Sequence, residues 1–153
     1  MVSGSKGNRP KKQTTSSPAE GANASGGPTP ARKLLIADDD ASLRRLVRAT
    51  LESESYTILE AGDGVAALAQ ARLHRPDLIL LDVKMPQMDG LKTCQALKRD
   101  DATRSLTVIM LTVESDPEDR KRALAAGADD YFTKPFSPMA LIHKVEQVMG
   151  KRA

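Results

Sequence analysis

The chain of 153 residues is poor in several things that would define its class. Its single cysteine, Cys94, excludes an internal disulfide framework and a cysteine-based zinc centre, and fits a reducing cytoplasmic compartment. Aromatics are 3% of residues (Tyr56, Tyr131, Phe132 and Phe136, with no Trp), so the core must be aliphatic and stacking on bases is a poor route to nucleic acid. No apolar run approaches the roughly 18 residues of a membrane span, and no apolar stretch near the N-terminus serves as a secretory signal. Neither GxxxxGK[ST] nor GxGxxG occurs, which argues against nucleotide hydrolysis at a Walker-type loop and against dinucleotide binding.

What is present is unevenly charged. The formal net charge of +3 combines a tail of +5 over residues 1–33 (six bases against Glu20) with a domain of −2 over the remainder, 17 bases against 19 acids. Gly, Pro, Ser and Thr fill 17 of the first 33 positions, and no large apolar residue follows Val2 there. Such a segment cannot bury enough surface to offset its ordering entropy. Residues 1–32 therefore read as a disordered basic arm, a passive extension or a contact for an acidic surface. Residues 33–150 read as one domain, long enough for a single core.

Within that domain apolar runs alternate with helical periodicity. Leu34–Ala37, Tyr56–Leu59, Leu78–Leu81, Leu106–Leu111 and Tyr131–Thr133 read as strands. Between them, Leu43, Leu46, Val47 and Leu51, then Val65, Leu68, Ala69 and Leu73, then Leu91, Cys94 and Leu97 fall at helical spacing. A fourth helix spans Asp116–Ala126 and stops at Gly127; a fifth spans Ser137–Met149 with Pro138 in its first turn. Runs that are apolar at nearly every position belong to a parallel sheet covered on both faces. The expected fold is α/β, a doubly wound five-stranded parallel sheet, whose ligand site lies at the carboxyl ends of the strands.

The strand ends carry one chemistry. The first is followed by Asp38, Asp39 and Asp40, the third by Asp82, the fourth by Thr112 and the fifth by Lys134. Clustered carboxylates cannot all stay ionised without compensation. A hard divalent cation such as magnesium, held by oxygens, answers that demand, and Lys134 adds a fixed positive charge. With the Thr112 hydroxyl, these groups suit a phosphoryl group attacked in line by an oxygen, for which Asp82 is the best candidate.

The segments LLIADDDASLRRLV, PDLILLDVKMPQMDGL, VIMLTVES and GADDYFTKPF resemble the receiver domain of two-component response regulators, over essentially all of 33–150. The resemblance implies a (βα)5 flavodoxin-like receiver fold. It implies that Asp82 is phosphorylated by a sensor histidine kinase or phosphotransfer protein. It implies a magnesium site of Asp38, Asp39, Asp82 and the Lys84 backbone carbonyl, with Asp39 a direct ligand and Asp38 acting largely through water. Thr112 and Tyr131 become the switch pair, Lys134 the bridge between carboxylate and phosphoryl oxygen, and the Lys134–Pro135 bond a cis one. Asp40 lies beyond the acidic pair and stays outside the metal set. Val113 is larger than the residue often found after the switch threonine and is expected to narrow access to Asp82. Lys84 and Glu114 flank the phosphoryl position, as a shielding pair or as two solvated side chains.

Blander roles are expected elsewhere. Asp89 caps the third helix; Asp129 and Asp130 serve the turn into the fifth strand; His74 and His143 lack partners at metal spacing; Cys94 is a buried apolar position. Arg44, Arg45 and Arg48, and the run Arg120-Lys121-Arg122, are either partner contacts or solvated faces. The expected function is a phosphorylation-dependent signalling switch in the cytoplasm, not an enzyme. No DNA-binding segment follows residue 150, so output through a downstream protein target is expected, without direct DNA contact. Two rivals are a receiver-fold scaffold that acts without phosphorylation and an aspartyl-phosphate phosphatase. The latter type needs a second acid two residues after its nucleophile, where this chain has Lys84.

Overall fold

The computed structural model describes residues 32–52, 54, 56–113 and 117–150. The expected arm at 1–32 therefore lies outside the described residues except for Arg32, which opens the first strand. The elements alternate strictly: β1 (Arg32–Ala37), α1 (Ala41–Glu52), β2 (Tyr56–Ala61), α2 (Gly64–His74), β3 (Leu78–Asp82), α3 (Gly90–Arg99), β4 (Thr107–Val113), α4 (Pro117–Ala125), β5 (Asp130–Lys134) and α5 (Pro138–Met149). All strand pairs are parallel, in the order β2-β1-β3-β4-β5. The chain winds outward from β1 in one direction and from β3 in the other. The switch in strand order thus falls between β1 and β3, where ligands of such sheets bind.

Side-chain alternation divides the core into two layers. Leu35, Ala37, Ile79, Leu81, Val108 and Met110 point to one face, with Cys94 and Leu97 of α3 and Ala67 and Ala71 of α2. Leu34, Ile36, Leu78, Leu80, Ile109 and Leu111 point to the other, with Val47 and Leu51 of α1 and Leu141 and Val145 of α5. Every residue of β3 is buried, as a central strand covered twice requires.

The strands run one or two residues beyond the apolar runs at several ends. β1 starts at Arg32 rather than Leu34, because polar partners hold its first residues: the Lys33 N–H donates to Asp77 Oδ2 at 2.8 Å, and Lys33 Nζ to the His74 carbonyl at 3.2 Å. Helix ends follow local chemistry. Asp89 accepts from the Lys92 N–H at 2.9 Å, Asp63 from Ala66 at 2.8 Å and Ser137 from Ala140 at 3.1 Å.

Candidate functional site

The parity of the strands aims the polar ends. Asp38 continues the Leu34–Ile36 series, Asp82 the Leu78–Leu80 series and Lys134 the series of Phe132, so all three leave the sheet on the face of α1 and α5. Register brings them level, because Ala37 lies opposite Leu81 and Asp82 opposite Leu111. Thr112 has the parity of Met110 and leaves on the opposite face, the one that also holds Tyr131.

Asp38, Asp39, Asp82 and Lys134 lie together. Carboxylate oxygens of Asp38, Asp39 and Asp82 lie within 4.8 Å of one another. Lys134 Nζ donates to Asp38 Oδ2 at 3.2 Å and to Asp82 Oδ1 at 3.3 Å. Asp38 is fully buried and Asp82 is 6% exposed, whereas Asp39 is open to solvent. The Asp40 N–H donates to Asp38 Oδ1 at 2.9 Å, and the Lys84 N–H to the Asp82 carboxylate. The Thr112 hydroxyl is 1% exposed and has no hydrogen-bond partner among the described residues. An unpartnered buried hydroxyl is costly, and here it stands one residue beyond the register partner of Asp82. The Lys134–Pro135 bond is cis.

Electrostatics follow from this crowding. Burial, then the neighbouring Asp38 charge, pushes the Asp82 carboxyl up to about 6, with Lys134 and the Lys84 amide opposing. Burial also raises Asp38. For Lys134, burial opposes the charged form, but Asp82 and Asp38 outweigh it and raise the ammonium. The folded chain therefore binds more protons at Asp82 than the unfolded chain does, between the ordinary 3.8 and about 6. The metal-free domain is expected to lose stability as pH rises through that window, by on the order of 2 kcal/mol between pH 4 and 7. Urea unfolding in chelator across that range checks it, and stability independent of pH in the wild type but not in Asp82→Asn would contradict it.

Three carboxylates, two of them sequestered from water, form an oxygen donor set that fits a hard divalent cation better than a soft one. A single ammonium balances two buried acids only in part.

Other expectations meet their chemistry. Asp40 accepts from the Ser42 and Leu43 N–H groups at 2.9 and 3.3 Å, so its carboxylate caps α1. Arg44 is engaged within the domain: Nη1 donates to the Asp38 carbonyl at 2.6 Å, and Nε pairs with Glu60 at 2.9 Å. Arg48 bridges Glu60 and Glu52 at 2.7 Å each, while Arg45 remains exposed. The run on α4 has intramolecular partners although Lys121 and Arg122 are exposed. The Arg120 guanidinium lies 5.3 Å from the Tyr131 ring centroid, Lys121 pairs with Glu118 at 3.6 Å and Arg122 with Asp119 at 2.8 Å. Asp129 Oδ2 accepts from the Val108 N–H at 2.8 Å and from Lys98 at 2.9 Å, and Asp130 pairs with Lys144 at 3.1 Å; both are structural, as read. Glu114 lies outside the described residues; the Lys84 ammonium is 3.9 Å from Asp119. Sequence reasoning missed Asp119. It is a buried carboxylate in the first turn of α4, and no local pattern separates it from the exposed Glu118.

A parallel sheet whose switch point holds acids, an ammonium and a waiting hydroxyl belongs to the doubly wound proteins that handle phosphoryl groups at the strand ends. Residues 34–146 match the family model of the response regulator receiver domain, and the chain belongs to that family of two-component signalling proteins. The phosphate regulon transcriptional regulatory protein PhoB of Klebsiella pneumoniae is 44% identical over 121 residues, covering 79% of this chain and 53% of that protein. The chain thus spans about half the length of the curated relatives it matches. Among solved structures, the chemotaxis response regulator CheY4 of Vibrio cholerae is 36% identical with a TM-score of 0.73, over 77% of this chain and 98% of that one. The receiver domain of the sensor histidine kinase PA1611 of Pseudomonas aeruginosa, which has a magnesium ion in its active-site cleft, is 28% identical with a TM-score of 0.73, over 79% and 99%. The five-stranded parallel sheet that the strand pattern predicted, with its five helices, is the flavodoxin-like receiver fold that the resemblance implied.

Proposed function

We propose that this chain is switched by transfer of a phosphoryl group to Asp82 from a sensor histidine kinase or phosphotransfer protein. The observation that carries the reading is the position of the Asp82 carboxylate, shared between Lys134 Nζ at 3.3 Å and the acidic pair within 4.8 Å. Magnesium is the cation the donor set suits; Asp38, Asp39, Asp82 and the Lys84 backbone carbonyl would hold it, and it would neutralise charge on the phosphoryl oxygens.

The chain's own groups do the rest. At pH 7 Asp82 is mostly ionised and supplies the attacking oxygen. That oxygen bonds to phosphorus as the bond from phosphorus to the donor nitrogen breaks, and the leaving imidazole keeps the electron pair. Lys134 holds the acceptor in place and faces the developing negative charge without reorganising. The Thr112 hydroxyl then has an oxygen to which it can donate, and it moves toward the acceptor. Tyr131, on the same face of the sheet, follows the space it leaves. The phosphoryl group biases a two-state equilibrium only through its different interactions with the two states.

The protein is then a switch that keeps the phosphoryl group on itself, not an enzyme with a separate substrate. It acts in the cytoplasm, on a downstream protein target by contact. No described helix is long and apolar enough to cross a membrane.

Incubation with phosphoramidate and magnesium, followed by intact mass, tests the assignment. One phosphoryl is expected on the wild type and none on Asp82→Asn. A labelled Asp82→Asn protein, or an unlabelled wild type, defeats the assignment.

A second expectation concerns access. Val113 follows the switch threonine and is 40% exposed. Val113→Ala is expected to speed labelling by acetyl phosphate several-fold, since it removes two methyl groups from the approach. An unchanged rate removes Val113 as a gate.

A further inference from the structure

We propose that Asp119 of α4 is a positioning residue for the phosphorylated state. It holds the Lys84 ammonium toward α4 and yields it to the phosphoryl group once Asp82 carries one. The inference rests on the phosphoacceptor reading of Asp82.

The starting point is a buried charge that the transfer chemistry does not use. Asp119 is 2% exposed, although the residues before it in the same turn, Pro117 and Glu118, are exposed. A carboxylate in that setting needs cations close by. Arg122, one turn along α4, supplies the close one: Nη1 donates to Asp119 Oδ1 at 2.8 Å. Lys84 supplies the second from another part of the chain, with Nζ 3.9 Å from Asp119 Oδ2, beyond hydrogen-bond range. The two contacts are unequal. Asp119 keeps a direct partner if Lys84 leaves.

Lys84 stands at both ends of this link. It follows Asp82 by two residues, and its amide donates to the Asp82 carboxylate, so its backbone is fixed at the acceptor. Its side chain is 70% exposed and reaches out to α4 on a flexible four-carbon stem. A phosphoryl group replaces one negative charge on the acceptor with about two, and adds strong acceptor oxygens. The ammonium then finds a larger field at the acceptor than at Asp119, where Arg122 already neutralises the carboxylate. The exchange severs the tie between the loop after β3 and the first turn of α4. Arg120, between Asp119 and Arg122 on the same helix, lies over the Tyr131 ring, so a shift of α4 reaches the switch ring as well. This makes α4 a two-state element biased directly from the phosphorylation site.

The test compares the full chain as wild type, Asp119→Asn, Asp119→Glu and Lys84→Met, each treated with phosphoramidate and magnesium. Two quantities are read: the half-life of the phosphoaspartate by intact mass, and hydrogen exchange of the α4 amides before and after phosphorylation. In the wild type, phosphorylation is expected to speed α4 exchange. In Asp119→Asn, α4 is expected to exchange fast beforehand and to respond little. Its phosphoaspartate is expected to live about threefold longer, the scale of a partly exposed ion pair, because Lys84 is no longer shared. Asp119→Glu is expected to restore the wild-type pattern. Lys84→Met is expected to abolish the α4 response and to shorten the half-life, which keeps the test decisive if Asp119→Asn folds poorly. Wild-type half-lives and a wild-type α4 response in Asp119→Asn or Lys84→Met overturn the exchange. A wild type that gains no phosphoryl at all overturns the phosphoacceptor reading and this inference together.

Discussion

Replacing Lys134 by Met is expected to slow phosphoryl labelling of Asp82 by at least about 100-fold, the usual scale for removing a preorganised group that faces developing charge. The side chains are of similar length, so the change is chiefly the loss of one ammonium. That ammonium lies 3.2 Å from Asp38 and 3.3 Å from Asp82, and both carboxylates are buried. Without it the two acids repel unscreened, and Asp82 takes up a proton more readily than its present value of about 6 allows. The nucleophile is then less often ionised at neutral pH, and the charge that would face the phosphoryl oxygens is gone.

The metal-free protein is expected to lose stability by about 2 kcal/mol, less than for a fully buried pair, because Lys134 is 22% exposed and Asp82 protonates in response. Magnesium affinity is expected to move the other way and rise, since the cation no longer competes with a fixed ammonium. A merely structural lysine predicts that labelling and metal binding fall together. Intact-mass time courses, urea unfolding in chelator and magnesium titration separate the two cases. Labelling within about threefold of wild type, far short of a preorganised-charge effect, removes Lys134 from the transfer step.

Gly90→Ala is expected to be among the most damaging small substitutions in the chain. A β-carbon at Gly90 would stand 1.9 Å from the Asp82 carbonyl oxygen, 2.8 Å from its carbon and 2.9 Å from the Val83 α-carbon. All three are backbone atoms, and the Gly90 N–H donates to the Val83 carbonyl at 2.8 Å, so neither side yields cheaply. The end of β3 has to move away from α3. The expected loss is about 3 kcal/mol, or roughly 10 °C in Tm for a domain of this size. The displaced residue is the acceptor, so labelling is expected to slow beyond what the unfolded fraction explains. Gly62→Ala is the control: its nearest neighbour is the Arg44 Nη1 atom at 3.6 Å, an ordinary contact, and its stability is expected to change by less than about 1 kcal/mol. Equal melting temperatures for Gly90→Ala and wild type would show that the strand end has slack.

Much of this site was legible because a parallel sheet turns sequence order into position. Leu78–Leu81 and Leu106–Leu111 announce strands buried on both faces, and the polar residues that follow them mark one rim. Counting in twos from Leu34 and Leu78 even gives the shared face of Asp38 and Asp82. Side chains with several possible partners were not legible. Arg44 and Arg48 read as either partner contacts or solvated faces, and nothing in the sequence showed that β2 would place Glu60 against both. Asp119 carried no signal of its own in the sequence, and only packing buries it.

Local periodicity by itself determined the alternation of elements, the parallel sheet and the rim on which acids, hydroxyl and ammonium gather. These rest on backbone geometry that repeats every two or 3.6 residues and needs no distant information. Only the tertiary structure decided which carboxylates are sequestered, that Asp40 caps a helix beside two acids that share Lys134, and that the Thr112 hydroxyl is left without a described partner. Charge balance and hydrogen-bond satisfaction depend on distance and burial. Those are properties of neighbours brought together by folding, and no single stretch of chain contains them.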